Sequence, residues 1–93
     1  MNEPQNKNYQ QVRDYVYNMA REIIEDMGGE PDKLTTISHL KVSAGVDSMG
    51  LIELLARVEK QFRVSIPEHE FPKFSTVQNI AEVVCKYQKE QAR

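Results

Sequence analysis

The residues best suited to chemistry in this chain are Asp47-Ser48-Met49-Gly50. An aspartate directly before a serine, with an amphipathic stretch behind it, suits the start of a helix. There the Asp47 carboxylate can accept from the backbone N–H of Met49 or Gly50 as an N-cap. Ser48 is then the first helical residue, and its hydroxyl is free to face solvent. A helix N-terminus carries about half a positive charge and several unpaired N–H donors, so a phosphate ester is favoured there. A serine in this position could carry a phosphate-linked group. Taken alone, the four residues also have a plainer reading, a helix cap and nothing more.

Two other groupings compete and are weaker. Cys85 would need a base and a lowered pKa to act as a nucleophile. Neither His39 nor His69 is placed by the sequence to supply them, so an inert, half-buried thiol is expected. Glu68-His69-Glu70 offers metal-ligating side chains, but three adjacent residues on one turn rarely converge on an ion. A solvated polar turn and no metal site are expected there, and His39 is expected to be a surface or packing residue. No catalytic residue is assigned.

The elements that must position Ser48 follow from periodicity. Tyr9, Val12, Val16, Met19, Ile23 and Met27 recur at spacings of three and four, one stripe of a first helix. Gly28-Gly29 stops it. Residues 28–46 show no sustained period. A connection of that length is unusual in a compact domain, and Leu34, Ile37, Leu40 and Val42 argue that it is pinned to the core. A second helix starts at Asp47-Ser48 with Leu51, Leu54, Leu55, Val58 and Phe62 on its stripe and Ile52 at the margin. Val64-Ser65-Ile66-Pro67 reads as extended, because the residue before proline avoids the helical region. Glu68–Phe71 can form one short turn. A last helix opens at Ser75-Thr76-Val77-Gln78, where serine followed three residues later by glutamine is a capping-box pattern; Val77, Ile80, Val84 and Tyr87 form its stripe.

The predicted fold is therefore all-α, a small three- to four-helix bundle with a long loop between the first and second helices. Its expected core is Val12, Val16, Met19, Ile23, Leu51, Leu54, Leu55, Val58, Phe62, Ile66, Val77, Ile80 and Val84. At 93 residues the chain is one domain, with a flexible N-terminus over residues 1–7 and the folded domain over 8–90.

Composition narrows the function. Twelve basic and fourteen acidic residues give a net charge of −2, against a nucleic-acid backbone binder. From Asp47 to Pro72 the acidic positions 47, 53, 59, 68 and 70 outnumber the basic positions 57, 60 and 63, so the second helix and its flank would be repelled by a duplex. No stretch approaches the roughly 20 apolar residues of a membrane span, and the polar start is unlike a signal peptide. One cysteine excludes an internal disulfide framework. A cytoplasmic protein is expected.

Gly45-Val46-Asp47-Ser48-Met49-Gly50-Leu51-Ile52-Glu53-Leu54-Leu55 resembles the phosphopantetheine attachment segment of acyl carrier proteins. Phe62-Arg63-Val64-Ser65-Ile66-Pro67 resembles the family's Phe-x-(Val/Ile)-x-Ile-Pro, and Ser75-Thr76-Val77-Gln78-Asn79-Ile80 resembles its Thr-Val-x-x-(Ile/Leu). Glu70-Phe71 falls where the family has a short third helix. The three motifs stand in family order and cover residues 9 to 88.

The resemblance implies a discrete carrier, not an enzyme. Ser48 would bear 4′-phosphopantetheine, donated from coenzyme A by a separate phosphopantetheinyl transferase. Asp47 would assist that modification near the transferase's magnesium ion. The arm's thiol would hold acyl groups as thioesters for fatty acid, polyketide or related synthesis. Partners would be the transferase, an acyl- or aminoacyl-activating ligase, and synthase or acyltransferase enzymes. They would dock along the second helix at Met49, Glu53, Ala56, Arg57 and Lys60. A monomer is expected.

The chain departs from the family pattern in places. Methionine stands at 49 for leucine. Glycine stands at 50, where fatty-acid carriers often have an acidic residue. Arg57 and Lys60 dilute the acidic docking face. Asp-Ser-Met-Gly with the later Glu-Phe also resembles D-alanyl carrier proteins, so an aminoacyl or peptidyl carrier is an alternative, as is a helical module that only docks.

Overall fold

Three- and four-residue spacing puts Val12, Val16, Ala20 and Ile23 on one helical face, and all four are buried. They belong to α1, Glu3–Asp26, in a computed structural model that describes residues 3–91, with side chains from residue 8 onward. At 1.5 Å per residue α1 is about 36 Å long, nearly the 40 Å long dimension of the molecule. It is the spine against which α2 (Ser48–Phe62) and α3 (Val77–Gln91) pack. Two 3₁₀ segments, Pro31–Lys33 and Glu68–Lys73, complete the order. There is no strand among the described residues, and the architecture is the expected all-helical bundle with a long α1–α2 loop. The expected flexible segment 1–7 falls on residues whose side chains lie outside those described; helical backbone begins at Glu3.

Packing on two partners widens the buried face of α1 beyond a single stripe. Ala20 and Ile24 join the core, while Met19 is only half-buried and Met27 is exposed. Leu51 and Phe62, also expected in the core, are likewise half-buried. Phe62 meets Tyr15 edge-to-face at 5.3 Å, pinning the end of α2 to α1.

The helix ends follow local chemistry. Gly28 takes φ 82°. Its N–H donates to the Glu25 carbonyl at 3.0 Å, and the Gly29 N–H donates to Ile24 at 2.8 Å. This paired arrangement closes a helix with a left-handed residue. At the end of α2 the same conformation falls on Arg63, at φ 53°. An L side chain is strained there. Arg63→Gly is therefore expected to raise stability by roughly 0.5–1 kcal/mol, read as a higher urea midpoint with an unchanged slope.

The long loop is fixed by buried anchors and by backbone bonds. Leu34, Leu40 and Val46 are buried. The Leu40 N–H donates to the Ser75 carbonyl at 2.8 Å, and the Gln78 N–H to Thr36 at 3.0 Å. Tyr17 Oη donates to the Leu34 carbonyl at 3.0 Å. Ile37 and Val42, expected to help pin the loop, instead point outward. At α3 the cap is Thr76, one residue beyond the expected Ser75: its Oγ1 accepts from Asn79 N–H at 3.0 Å. The Gln78 N–H is taken by the loop, so the capping box does not form.

The second 3₁₀ segment holds the largest departure from expectation. Glu68 and His69 are exposed, but Glu70 is buried. Its carboxylate accepts from Tyr87 Oη at 2.5 Å and lies 3.2 Å from Lys73 Nζ and 3.5 Å from Lys86 Nζ. The Tyr87 hydrogen bond and then the two ammonium groups hold the carboxyl down at about 2 against the opposing effect of burial. The turn is a buried polar staple joining the 3₁₀ segment to α3, not a solvated face.

Candidate functional site

α2 starts where the chain leaves the buried Val46. Asp47 is extended, and its Oδ1 accepts from the Gly50 N–H at 2.8 Å. The Asp47 carbonyl accepts the first helical bond, from Leu51 at 2.9 Å. Asp47 is thus the N-cap and Ser48 the first helical residue, exposed to solvent. Asp47→Ala is expected to cost about 1 kcal/mol of stability, measured by urea unfolding.

Gly50 is buried and faces Ile23 of α1. A Cβ there would stand 3.1 Å from Val46 Cγ1, 3.3 Å from Asp47 Oδ1 and 3.3 Å from Ile23 Cγ2. The small residue lets the capped end of α2 settle against α1, which is why an acidic side chain does not suit this position here. Beside it lies a shallow groove of about 390 Å³ lined by Ile23, Asp26, Met27, Asp47, Met49, Gly50, Ile52 and Glu53. Its charged lining residues are all acidic.

Met49, Glu53, Ala56 and Lys60 are exposed along α2. Arg57 is half-buried and committed to its own chain. Its Nη2 lies 2.6 Å from Glu53 and its Nη1 3.4 Å from Glu22 on α1. Ile52, set at the margin by periodicity, is 56% exposed. It stands three residues after Met49 and so shares its face, the signal by which it could have been found.

The competing groupings do not assemble. Cys85 is half-buried, and burial pushes its thiol pKa up, the wrong direction for a nucleophile. His39 Nδ1 accepts from the Val42 N–H at 3.1 Å, while His69 lies beside Glu70. No cluster of potential metal ligands occurs among the described residues.

A phosphate ester on Ser48 fits this geometry. The oxygen is open to solvent, and the N-terminal end of α2 favours an anion. Asp26, Asp47 and Glu53 oppose it, so a covalent bond suits this site better than a reversible phosphate trap.

Comparison with known proteins gives the family. Residues 16–84 match a family model described as "Phosphopantetheine attachment site". The chain is 33% identical to an acyl carrier protein of Bdellovibrio bacteriovorus over 64 residues, which is 69% of this chain and 82% of the relative. It is 32% identical to the acyl carrier proteins of Chlorobium phaeobacteroides and Chlorobium luteolum, each over 76 residues, covering 82% of this chain and 94% of theirs. A capped helix start with an open serine, inside an all-helical bundle and within the matched region, leads to one conclusion: the chain belongs to the acyl carrier protein family, and its cofactor is a covalently attached 4′-phosphopantetheine.

Proposed function

We propose that this chain is a discrete acyl carrier protein modified at Ser48. The observation that carries the reading is the exposed hydroxyl on the first residue of a helix already capped by Asp47. In the modification, the Ser48 oxygen attacks the phosphorus of coenzyme A that bears the pantetheine. A phosphate ester forms, the pyrophosphate bond breaks, and adenosine 3′,5′-bisphosphate leaves. The serine proton passes to a base of the transferase.

Once attached, the arm supplies a thiol that holds an acyl group as a thioester. The chain's own residues present the arm and are recognised. α2 fixes the anchor point, while the tether raises the local concentration of cargo at each partner. Met49, Glu53, Ala56 and Lys60 offer an exposed face for those partners, and Arg57 contributes by holding Glu53 in place. The partners are a phosphopantetheinyl transferase, an acyl- or aminoacyl-activating ligase and the synthase or acyltransferase enzymes of a fatty acid, polyketide or related pathway. The carrier works as a cytoplasmic monomer and catalyses no step itself.

The test is incubation with coenzyme A and a broad-specificity phosphopantetheinyl transferase, followed by intact mass. One added phosphopantetheine is expected. Trypsin releases residues 42–57, which contain both Ser43 and Ser48, so fragmentation must assign the adduct. No adduct, or one on Ser43, overturns the reading.

Asp47→Asn separates the cap from the charge. Asparagine caps as well as aspartate, so stability is expected to hold. The modification rate is expected to fall, because the carboxylate that would assist at the transferase's magnesium ion is gone. An unchanged rate would confine Asp47 to capping.

A further inference from the structure

The exposed large apolar side chains divide into two groups. Ile37 and Val42 lie on the loop, whereas Met27, Met49 and Ile52 all line the groove between the end of α1 and the start of α2. An isolated exposed apolar residue needs no explanation, but several around one concavity mark a contact surface. The rim is acidic. Asp26, Asp47 and Glu53 are its charged lining residues, and Glu53 is paired with Arg57, which also lies 3.4 Å from Glu22. Asp47 and Met49 line the groove and flank Ser48 in the chain. An enzyme that reaches the Ser48 hydroxyl therefore comes up against the groove.

We infer that this groove receives an apolar side chain flanked by Lys or Arg on the transferase that modifies Ser48, so that the docking footprint crosses from α2 to Met27, the residue that directly follows α1. This rests on the modification of Ser48 proposed above. It differs from docking along α2 alone in one respect: a residue at the end of α1, far from Ser48 in sequence, contributes to recognition. The pairing is complementary in both parts, apolar surface against apolar surface and an acidic rim against a basic one. The charged part speeds encounter and weakens with salt.

The experiment is steady-state modification by a broad-specificity phosphopantetheinyl transferase with coenzyme A, with the carrier as varied substrate. Wild type must first accept the group; if it does not, the Ser48 reading fails and not this one. Met27→Lys and Ile52→Lys are each expected to raise the carrier KM about tenfold with little change in kcat. Met27→Leu should behave as wild type. So should Ile37→Lys, which changes a more exposed apolar residue outside the groove. The wild-type KM should rise with added salt. Both groove positions are partly exposed, so lysine is compatible with folding, and matched thermal melts verify it.

Three results would overturn the inference. In the first, Met27→Lys retains the wild-type KM while Ile52→Lys loses affinity, confining the footprint to α2. In the second, Met27→Lys disrupts a wild-type dimer, making the groove a contact between copies. In the third, KM is indifferent to both substitutions and the groove's spectral signals shift only when the arm is acylated, assigning the groove to the tethered chain.

Discussion

Ser48→Ala is expected to abolish phosphopantetheine attachment while leaving the fold intact. Serine supplies the only atom that can form the ester, so the loss should be complete and not graded. The folded state has little at stake. Ser48 is exposed, the cap hydrogen bond belongs to Asp47, and alanine is the best helix former. Thermal melts of mutant and wild type should therefore nearly coincide, while intact mass shows the increment in one and not the other. Ser43→Ala and Ser65→Ala are the matched controls. Both serines are exposed, but neither begins a helix, and both variants should accept the group. An increment surviving in Ser48→Ala would refute the site. A mutant that unfolds would show instead that the hydroxyl has a structural role.

Ser48 could be singled out from the sequence because the features that set its environment are local. A cap, a serine and an amphipathic stripe lie within a few residues, and each constrains the backbone directly. The helices were legible for the same reason, and ten of the thirteen residues expected in the core are fully buried: Val12, Val16, Ile23, Leu54, Leu55, Val58, Ile66, Val77, Ile80 and Val84. What the sequence did not show depends on tertiary neighbours. Ile37 and Val42 are as apolar as Leu34 and Leu40, and no period separates them. The loop's bonds to Ser75 and Gln78 decide which pair turns inward. Thr76 and not Ser75 caps α3, although the box pattern favoured Ser75, because the loop has already taken the Gln78 N–H. The groove is invisible in sequence since Met27 follows α1 and Ile52 belongs to α2. The burial of Glu70 is hidden for a further reason. A charged residue between two polar ones signals solvent unless its partners are known, and two of them, the Lys86 ammonium and the Tyr87 hydroxyl donor, come from α3.

That buried carboxylate carries the second large expected effect. Glu70→Ala leaves the Tyr87 hydroxyl without its acceptor, removes the shared partner of Lys73 and Lys86, and opens a void in a sealed position. Removing one member of such a cluster is far more damaging than never having had it. The melting temperature should drop on the order of 10 °C. Glu70→Gln keeps an oxygen for Tyr87 but loses the charge, so its fall should be smaller. The two variants differ from wild type most clearly in their pH dependence. The folded carboxyl titrates at about 2, below its ordinary 4.5. Its stabilisation is therefore fully present above about pH 4.5 and is lost as the pH falls toward 2. Tyr87 works from the other side. Its hydrogen bond to Glu70, then burial, push its pKa from 10 up to about 12, so its contribution is complete below pH 10 and is lost on approach to 12. Stability against pH should show both limbs in wild type and flatten at the acid limb in Glu70→Gln. A steep acid limb retained in that variant would assign acid sensitivity to another carboxylate. The staple also bears on the site at one remove. Ser75, just past the 3₁₀ segment, accepts from Leu40, and the Leu40 carbonyl accepts from Val46 immediately before the cap. Since Asp47 makes the cap itself locally, Glu70→Ala should still be modified at Ser48 below its lowered melting temperature, losing endurance before it loses chemistry.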